Sequence, residues 1–256
     1  MNIALLGANG QLGQDLRSAL QAHDLHAFTR KEFDVTDHAR TRSVLMDLRP
    51  EVIINTTAYH RVDDCESHPE LAYAGNVLAV LNLIRIANEL DATLVHFSTD
   101  YIFDGKSRVP YTETSVPFPL SVYGSSKFAG ELLVRSMARK HIMVRTCGLY
   151  GVAGSSGKGG NFVQTMLAKA QRKEPIRVVD DQVVTPTYTV DLANQIACVL
   201  QAGEFGLFHM TNEGSCTWFE FARAIFEIAG VEANLSPTTS DVFKAPALRP
   251  KYSVLE

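Results

Sequence analysis

Tyr123 and Lys127, in the stretch VYGSSKFAGE, stand four positions apart in a segment whose apolar spacing predicts a helix. Residues four apart share one helix face, so the phenol and the ammonium project the same way. A neighbouring cation favours the phenolate, which helps a tyrosine pass its proton to a developing alkoxide. The same spacing also arises by chance, so its meaning depends on what else the chain places nearby. A second polar group, Ser98, Thr99, Asp100 and Tyr101 in FSTDYIFDG, closes an apolar run that predicts a strand. Open parallel sheets bind ligands beyond the carboxyl ends of their strands, where these four residues would face a crevice.

A third group opens the chain. GANGQLG spaces Gly7, Gly10 and Gly13 three apart, directly after the apolar run Ile3 to Leu6 and at the start of a helical pattern carried by Leu12, Leu16, Ala19 and Leu20. That is the context a dinucleotide fingerprint requires: a tight turn at Gly7, backbone N–H groups near Gly10, Gln11 and Leu12 for a pyrophosphate, and close helix–strand packing at Gly13. A site selective for NAD usually has an acid at the end of the second strand. Here that stretch is FTRKEFD, whose Thr29 and Arg30 suit a 2′-phosphate, so NADPH is the expected cofactor, with NADH as the alternative. Asp34 and Val35 are further candidates for the adenine side, while Thr36 or Asp37 would cap the next helix.

The elements that must position these groups alternate. LHAF, VIIN, TLVHFS and IMVR predict strands, and helical patterns run from TDHARTRSVLMDL, from about 69 to 90 and from about 121 to 139. The alternation predicts an α/β fold, a Rossmann-like doubly wound parallel sheet over residues 1–150. GVAGSSGKGGNF then holds five glycines in twelve residues and predicts a covering loop. Residues 151–256 are expected to form mainly a small, discontinuous substrate-binding lobe, with some segments returning to the core.

Composition narrows the partners. The chain has 256 residues, 46% of them apolar, and a formal charge of -4, which offers no basic footprint for nucleic acid or an anionic membrane. No uninterrupted apolar stretch is long enough to span a bilayer, and Cys65, Cys147, Cys198 and Cys216 follow no metal or disulfide spacing, so a cytoplasmic address with reduced thiols is expected.

Taken together, GANGQLG, INTTAYHRVDDCESHPELAYAGN, FSTDYIFDG, PYTETSVPFPLSVYGSSKFAGE, VRTCGLYG, GGNF, DDQVVTPTYTVDLA and LRPKYSVLE resemble the dTDP-4-dehydrorhamnose reductase family of extended short-chain dehydrogenase/reductases. The resemblance runs nearly end to end and implies reduction of a 4-keto sugar nucleotide, a dTDP-sugar, by nicotinamide hydride. It implies that Tyr123 protonates the sugar oxygen, that Lys127 holds the nicotinamide ribose and lowers the tyrosine's pKa, and that Thr99 donates to the same oxygen. It places Asp100, Tyr101 and Val62 around the sugar, and Asn55, Ser98 and the backbone at Ala58 and Tyr59 along the cofactor. Asn161 and Phe162 would hold the nucleotide's base or diphosphate, with a helix cap as the competing role for Asn161. Arg249 matches the family's late arginine, with a surface salt bridge as its alternative.

The sequence also departs from the pattern. Family members often carry a sugar-stacking tryptophan where this chain has Gly148, so Tyr150 or the glycine-rich loop would have to supply that wall. Asp15 stands where an acidic magnesium ligand is found in some relatives, but a lone carboxylate makes a poor magnesium site and no metal is expected to be required. A monomer or homodimer is expected, and the sequence stops short of a terminal helix seen in relatives. Two other readings fit the same motifs: a non-catalytic nucleotide-binding subunit like that of methionine adenosyltransferase, or another NAD(P)-dependent sugar-nucleotide reductase or epimerase.

Overall fold

Short β-rich runs separated by amphipathic helices fold here into one parallel sheet covered on both faces. The computed structural model describes residues 1–154 and 159–256. Five strands, β1 (Asn2–Leu6), β2 (Asp24–Phe28), β3 (Val52–Asn55), β4 (Thr93–Thr99) and β5 (His141–Thr146), are joined by an edge strand, Gly206–His209. The order is edge strand, β5, β4, β3, β1, β2, and every pairing is parallel. Because β2 and β3 flank β1 on opposite sides, the chain reverses direction across the sheet there. The crevice beyond β1 and β3 is where such sheets take a ligand.

The two faces follow from alternation along each strand. Ile3, Leu5, Val52, Ile54, Val95 and Val144 pack against Leu12 and Leu16 of the helix Gln11–Ala19 and against Ile196 of the helix Thr189–Ala202. Ala4, Leu6, Ile53, Leu94 and Met143 face the other way, toward Leu83, Ile84 and Val134. The helical segment Pro69–Leu90, with a mean hydropathy of 1.3, is long and apolar enough by composition to cross a membrane, although polar residues interrupt its apolar run. Its apolar stripe, Ala79, Val80, Leu83, Ile84, Ile86 and Ala87, is packed into the core instead.

A smaller cluster lies apart from the sheet. Helices Phe162–Gln171 and Trp218–Ala229 cover the parallel strand pair Ile176–Val179 and Leu235–Thr238 around Met166, Ile176, Val178, Ala222 and Phe226. Between these elements in sequence, the Thr189–Ala202 helix and the Gly206–His209 strand return to the main sheet.

Two long-range ties hold the site elements in place. The helix Val122–Met137 is fixed to β5 by a fully buried ion pair, Arg145 Nη2 to Glu131 Oε1 at 2.6 Å and Nε to Oε2 at 3.1 Å. The C-terminal segment runs back as a strap: Ser253 N–H donates to the Val183 carbonyl and Tyr111 N–H to the Val254 carbonyl. This leaves Ser253 with no exposed surface.

Candidate active site

At the carboxyl end of β1 the turn bends at Gly7, whose φ of +83° favours glycine, and Gly10 begins the next helix. A Cβ at Gly13 would lie 2.3 Å from the Gly7 carbonyl oxygen, so only glycine lets helix and turn approach this closely. Gly10 supplies no side-chain cap and the first turn has no acid, so the N–H groups of Gln11, Leu12 and Gly13 lie at a positive helix end that no carboxylate of its own first turn offsets. A pyrophosphate fits this cradle.

The Tyr123 helix begins at the cap Ser121, whose Oγ accepts from Gly124 N–H at 3.2 Å. A Cβ at Gly124 would lie 2.3 Å from the Tyr101 carbonyl oxygen, so this glycine lets the helix close on the end of β4. The Tyr123 and Tyr101 rings meet edge to face, with centroids 5.8 Å apart. Thr99 Oγ lies 2.9 Å from Asp100 Oδ1 and accepts from Tyr101 N–H at 3.2 Å. Thr99, Asp100 and Lys127 are all buried, at 6%, 3% and 4% exposure. Thr99 thus meets the Tyr123 hydroxyl, and Lys127 lies buried one turn further along the same helix.

Electrostatics in this cluster are dominated by burial. Desolvation lowers Lys127 to about 8, opposed by the charge of Glu131 one turn on. Tyr123 is raised, by burial first and then by Asp100 when that carboxyl is ionised, with the Thr99 hydroxyl acting against the shift. The expected lowering of Tyr123 by Lys127 is therefore not what the structure shows: the ammonium instead acts on buried His96, which desolvation already depresses. The phenol keeps its proton, as a proton donor must. Asp100 is raised, chiefly by desolvation.

The loop after β3 is held by residues that the sequence did not single out. Asn76, in a π-helical turn at Ala74–Leu78, takes the Tyr59 N–H on its Oδ1 at 2.8 Å and donates to both the Tyr59 carbonyl and Ser126 Oγ. It joins the Ala58–Tyr59 backbone to the Tyr123 helix. Such turns recur at functional sites, but nothing in AGNVL announces one. The Asn55 side chain is committed internally, to His96 and to Thr57, and so shapes this turn. Ser98 is buried, and its Oγ has no hydrogen-bond partner among the described residues.

Other candidates land differently. Arg30 remains exposed but is paired with Asp34 at 2.6 Å, while the Thr29 hydroxyl and N–H both donate to Glu32. Val35 is buried with Phe33 and Leu6 in the core cluster on one face of the sheet. Asn161 is a helix cap: its Oδ1 accepts from Gln164 N–H at 3.0 Å and its amide donates to the Gly151 carbonyl at 2.6 Å. Phe162 packs between Trp218 and Phe221 as part of the small lobe. Both are occupied by local structure. Arg249 forms a two-pronged pair with Asp63, beside Val62, and interacts with Tyr101.

Gly148 has a φ of +56°, and a Cβ there would meet the Thr185 carbonyl at 3.1 Å, so this backbone disfavours any larger residue. Tyr150 packs tilted against Tyr188 and edge to face against Phe221. Of the glycine-rich loop proposed as a wall, residues 155–158 lie outside the described residues. Asp15 buries its Oδ2 without a partner among the described residues, and no group of three or more potential metal ligands occurs among them.

A glycine turn at a Rossmann switch point, joined to a hydroxyl–tyrosine–lysine cluster at the end of β4, defines an extended short-chain dehydrogenase/reductase. The sequence matches the family described as RmlD substrate binding domain over residues 1–256. It is 35% identical over 274 residues to dTDP-4-dehydrorhamnose reductase of Escherichia coli K12, covering all of this chain and 89% of that protein. It is 38% identical to dTDP-4-keto-6-deoxy-D-glucose reductase of Streptomyces niveus, covering 97% and 86%. The crystal structure of dTDP-4-dehydrorhamnose reductase from Bacillus anthracis in complex with NADP superposes with a TM-score of 0.94 at 39% identity, covering 99% and 89%. The chain belongs to the dTDP-4-dehydrorhamnose reductase family, a family of oxidoreductases.

Proposed function

We propose that this protein reduces the C4 keto group of dTDP-4-dehydro-L-rhamnose to dTDP-L-rhamnose in the cytoplasm, using NADPH. The observation that carries the proposal is the contact of Thr99, at the end of β4, with the Tyr123 hydroxyl, with buried Lys127 one turn on in the same helix. When bound, the nicotinamide supplies a hydride to the carbonyl carbon. Tyr123 gives its phenolic proton to the oxygen, a transfer that is downhill because an alkoxide is a stronger base than a phenolate. Thr99 holds that oxygen by a hydrogen bond that strengthens as negative charge builds. Lys127, a buried ammonium that desolvation disfavours, is suited to ribose hydroxyls, which would also shield its charge. Tyr101, Val62 and Arg249 line the sugar side, and no metal is needed for any of these steps.

NADPH is favoured over NADH because Arg30 is exposed enough to leave Asp34 for a 2′-phosphate, and because a relative at 39% identity was crystallised with NADP. A second reading keeps the chemistry and changes the sugar. Gly148 leaves no side chain on one wall, and the Streptomyces niveus relative carries the name of a reductase for a different 4-keto sugar. The test is loss of NADPH absorbance with enzymatically generated dTDP-4-dehydro-L-rhamnose, run beside NADH and with and without EDTA. Stoichiometric NADPH oxidation insensitive to EDTA is expected. Cofactor binding without turnover would reject this substrate, and turnover of another 4-keto sugar nucleotide would establish the second reading.

A further inference from the structure

The hydroxyl of Thr99 has one proton and two lone pairs, and its partners leave a choice. One lone pair takes the Tyr101 N–H, at 3.2 Å. The contact with Asp100 Oδ1, at 2.9 Å, can run either way. If Asp100 is ionised, it accepts the only Thr99 proton, and Thr99 has none left to donate to a substrate oxygen. If Asp100 is protonated, it donates to Thr99, whose own proton then turns toward the Tyr123 hydroxyl that it meets and the substrate oxygen beside it. We propose that Asp100 is a positioning residue that stays protonated and, by donating to Thr99 Oγ, aims the single Thr99 proton at the carbonyl oxygen of the substrate. This rests on the reductase reading for the identity of that oxygen. Asp100 keeps its proton throughout, so the step adds nothing to the proton balance.

The surroundings of Asp100 support the neutral form. It is 3% exposed, and its Oδ2 has no hydrogen-bond partner among the described residues. Ser253 from the C-terminal strap and Cys147 from the end of β5 face it and oppose the rise, but desolvation outweighs them, and neither Asp100 Oδ2 nor Ser253 Oγ has a hydrogen bond of ordinary geometry. The titratable groups around it are Cys147, Tyr101 and Tyr123, all raised by burial and none a cation. Of the site's cations, Lys127 acts on His96 and Arg249 is paired with Asp63. A carboxylate buried without a cation or a full set of donors favours its acid form. Ionisation would also place a negative charge beside Tyr123 and weaken it as an acid, so the neutral form serves both hydroxyls.

Infrared spectroscopy of the whole protein labelled with ¹³C-aspartate tests the protonation state without any activity. At neutral pH exposed aspartates are ionised, so an isotope-shifted carboxylic acid band that disappears in Asp100→Asn is the expected result. Kinetically, Asp100→Ala should lower kcat by roughly 10-fold to 100-fold, the scale of a misdirected transition-state hydrogen bond. Asp100→Asn, whose amide can still donate to Thr99, should recover most of that loss. It should also abolish a fall in kcat that the wild type shows as pH rises through the Asp100 ionisation. A role confined to packing would leave the pH profile of Asp100→Asn like the wild type. Absence of the acid band, or an Asp100→Asn variant as impaired as Asp100→Ala, would overturn the proposal. If the wild type reduced no keto sugar, the reductase reading would fail while the infrared band still decided the state of Asp100. Because the band is read in the unmutated protein, poor folding of a variant does not remove the test.

Discussion

One helix carries two buried charges with opposite fates. Lys127 and Glu131 lie one turn apart on the Val122–Met137 helix, both essentially inaccessible. Glu131 is fully matched: Arg145 grips both of its oxygens, Arg135 reaches one, and the Arg145 guanidinium sits 5.3 Å over the Phe103 ring. Lys127 has no such partner among the described residues, and burial lowers its pKa to about 8. The unpaired atoms continue around it. Of the eight buried side-chain atoms without partners among the described residues, four, Gln11 Oε1, Ser98 Oγ, Asp100 Oδ2 and Thr146 Oγ, lie at or just beyond the carboxyl ends of β1, β4 and β5. Buried polar groups are normally hydrogen-bonded, so a set of exceptions gathered at one edge of a sheet marks a surface built to meet something else. The satisfied pair fixes the helix, and the unsatisfied residues use it.

That contrast can be broken from either side. Glu131→Gln should have the largest effect on stability, about 3–5 kcal/mol in urea unfolding, because Arg145 would be left as an uncompensated buried charge. A loss below about 1 kcal/mol would mean that the pair does not hold the helix. Lys127→Met should act in the opposite direction. Folding lowers the lysine pKa, so the folded protein sheds this proton before the unfolded chain does. Wild-type stability should therefore rise with pH from about 8 toward the ordinary lysine range. The variant should lack this rise, gain on the order of 3 kcal/mol at neutral pH from removal of the buried charge, and lose NADPH affinity. Unchanged stability together with unchanged cofactor binding would remove Lys127 from the comparison.

A smaller effect is expected where a family feature is missing. Gly148→Trp should cost about 1–2 kcal/mol, since the backbone is left-handed there, and should not lower the substrate KM. A lower KM with stability intact would mean that the backbone accepts the stacking ring after all.

What could be read from the sequence was what local spacing encodes. GANGQLG, the alternating strands and the Tyr123–Lys127 pair each depend on a few consecutive residues, and all three occur in the fold as expected. The asparagine at 161 also had a readable local alternative, the helix cap, and that is the role the structure gives it. Other features depend on residues far apart. Asn76 reaches Ser126 across 50 positions, and Ser253 meets Asp100 only because the C-terminal strap folds back. The strand Leu235–Thr238 was hidden by Pro237, which a two-stranded edge tolerates although a central strand would not. Arg30 and Asp34 were read as separate cofactor contacts, yet their four-residue spacing lets them pair with each other.

The most direct test of the central claim is Tyr123→Phe, which removes the phenolic oxygen that meets Thr99. With the keto sugar nucleotide as substrate, kcat should fall by roughly 10²–10⁴ while NADPH affinity and urea stability stay at wild-type values. Full activity in that variant would contradict the assignment of the proton to Tyr123 and, with it, the claim that this cluster is where the reaction occurs.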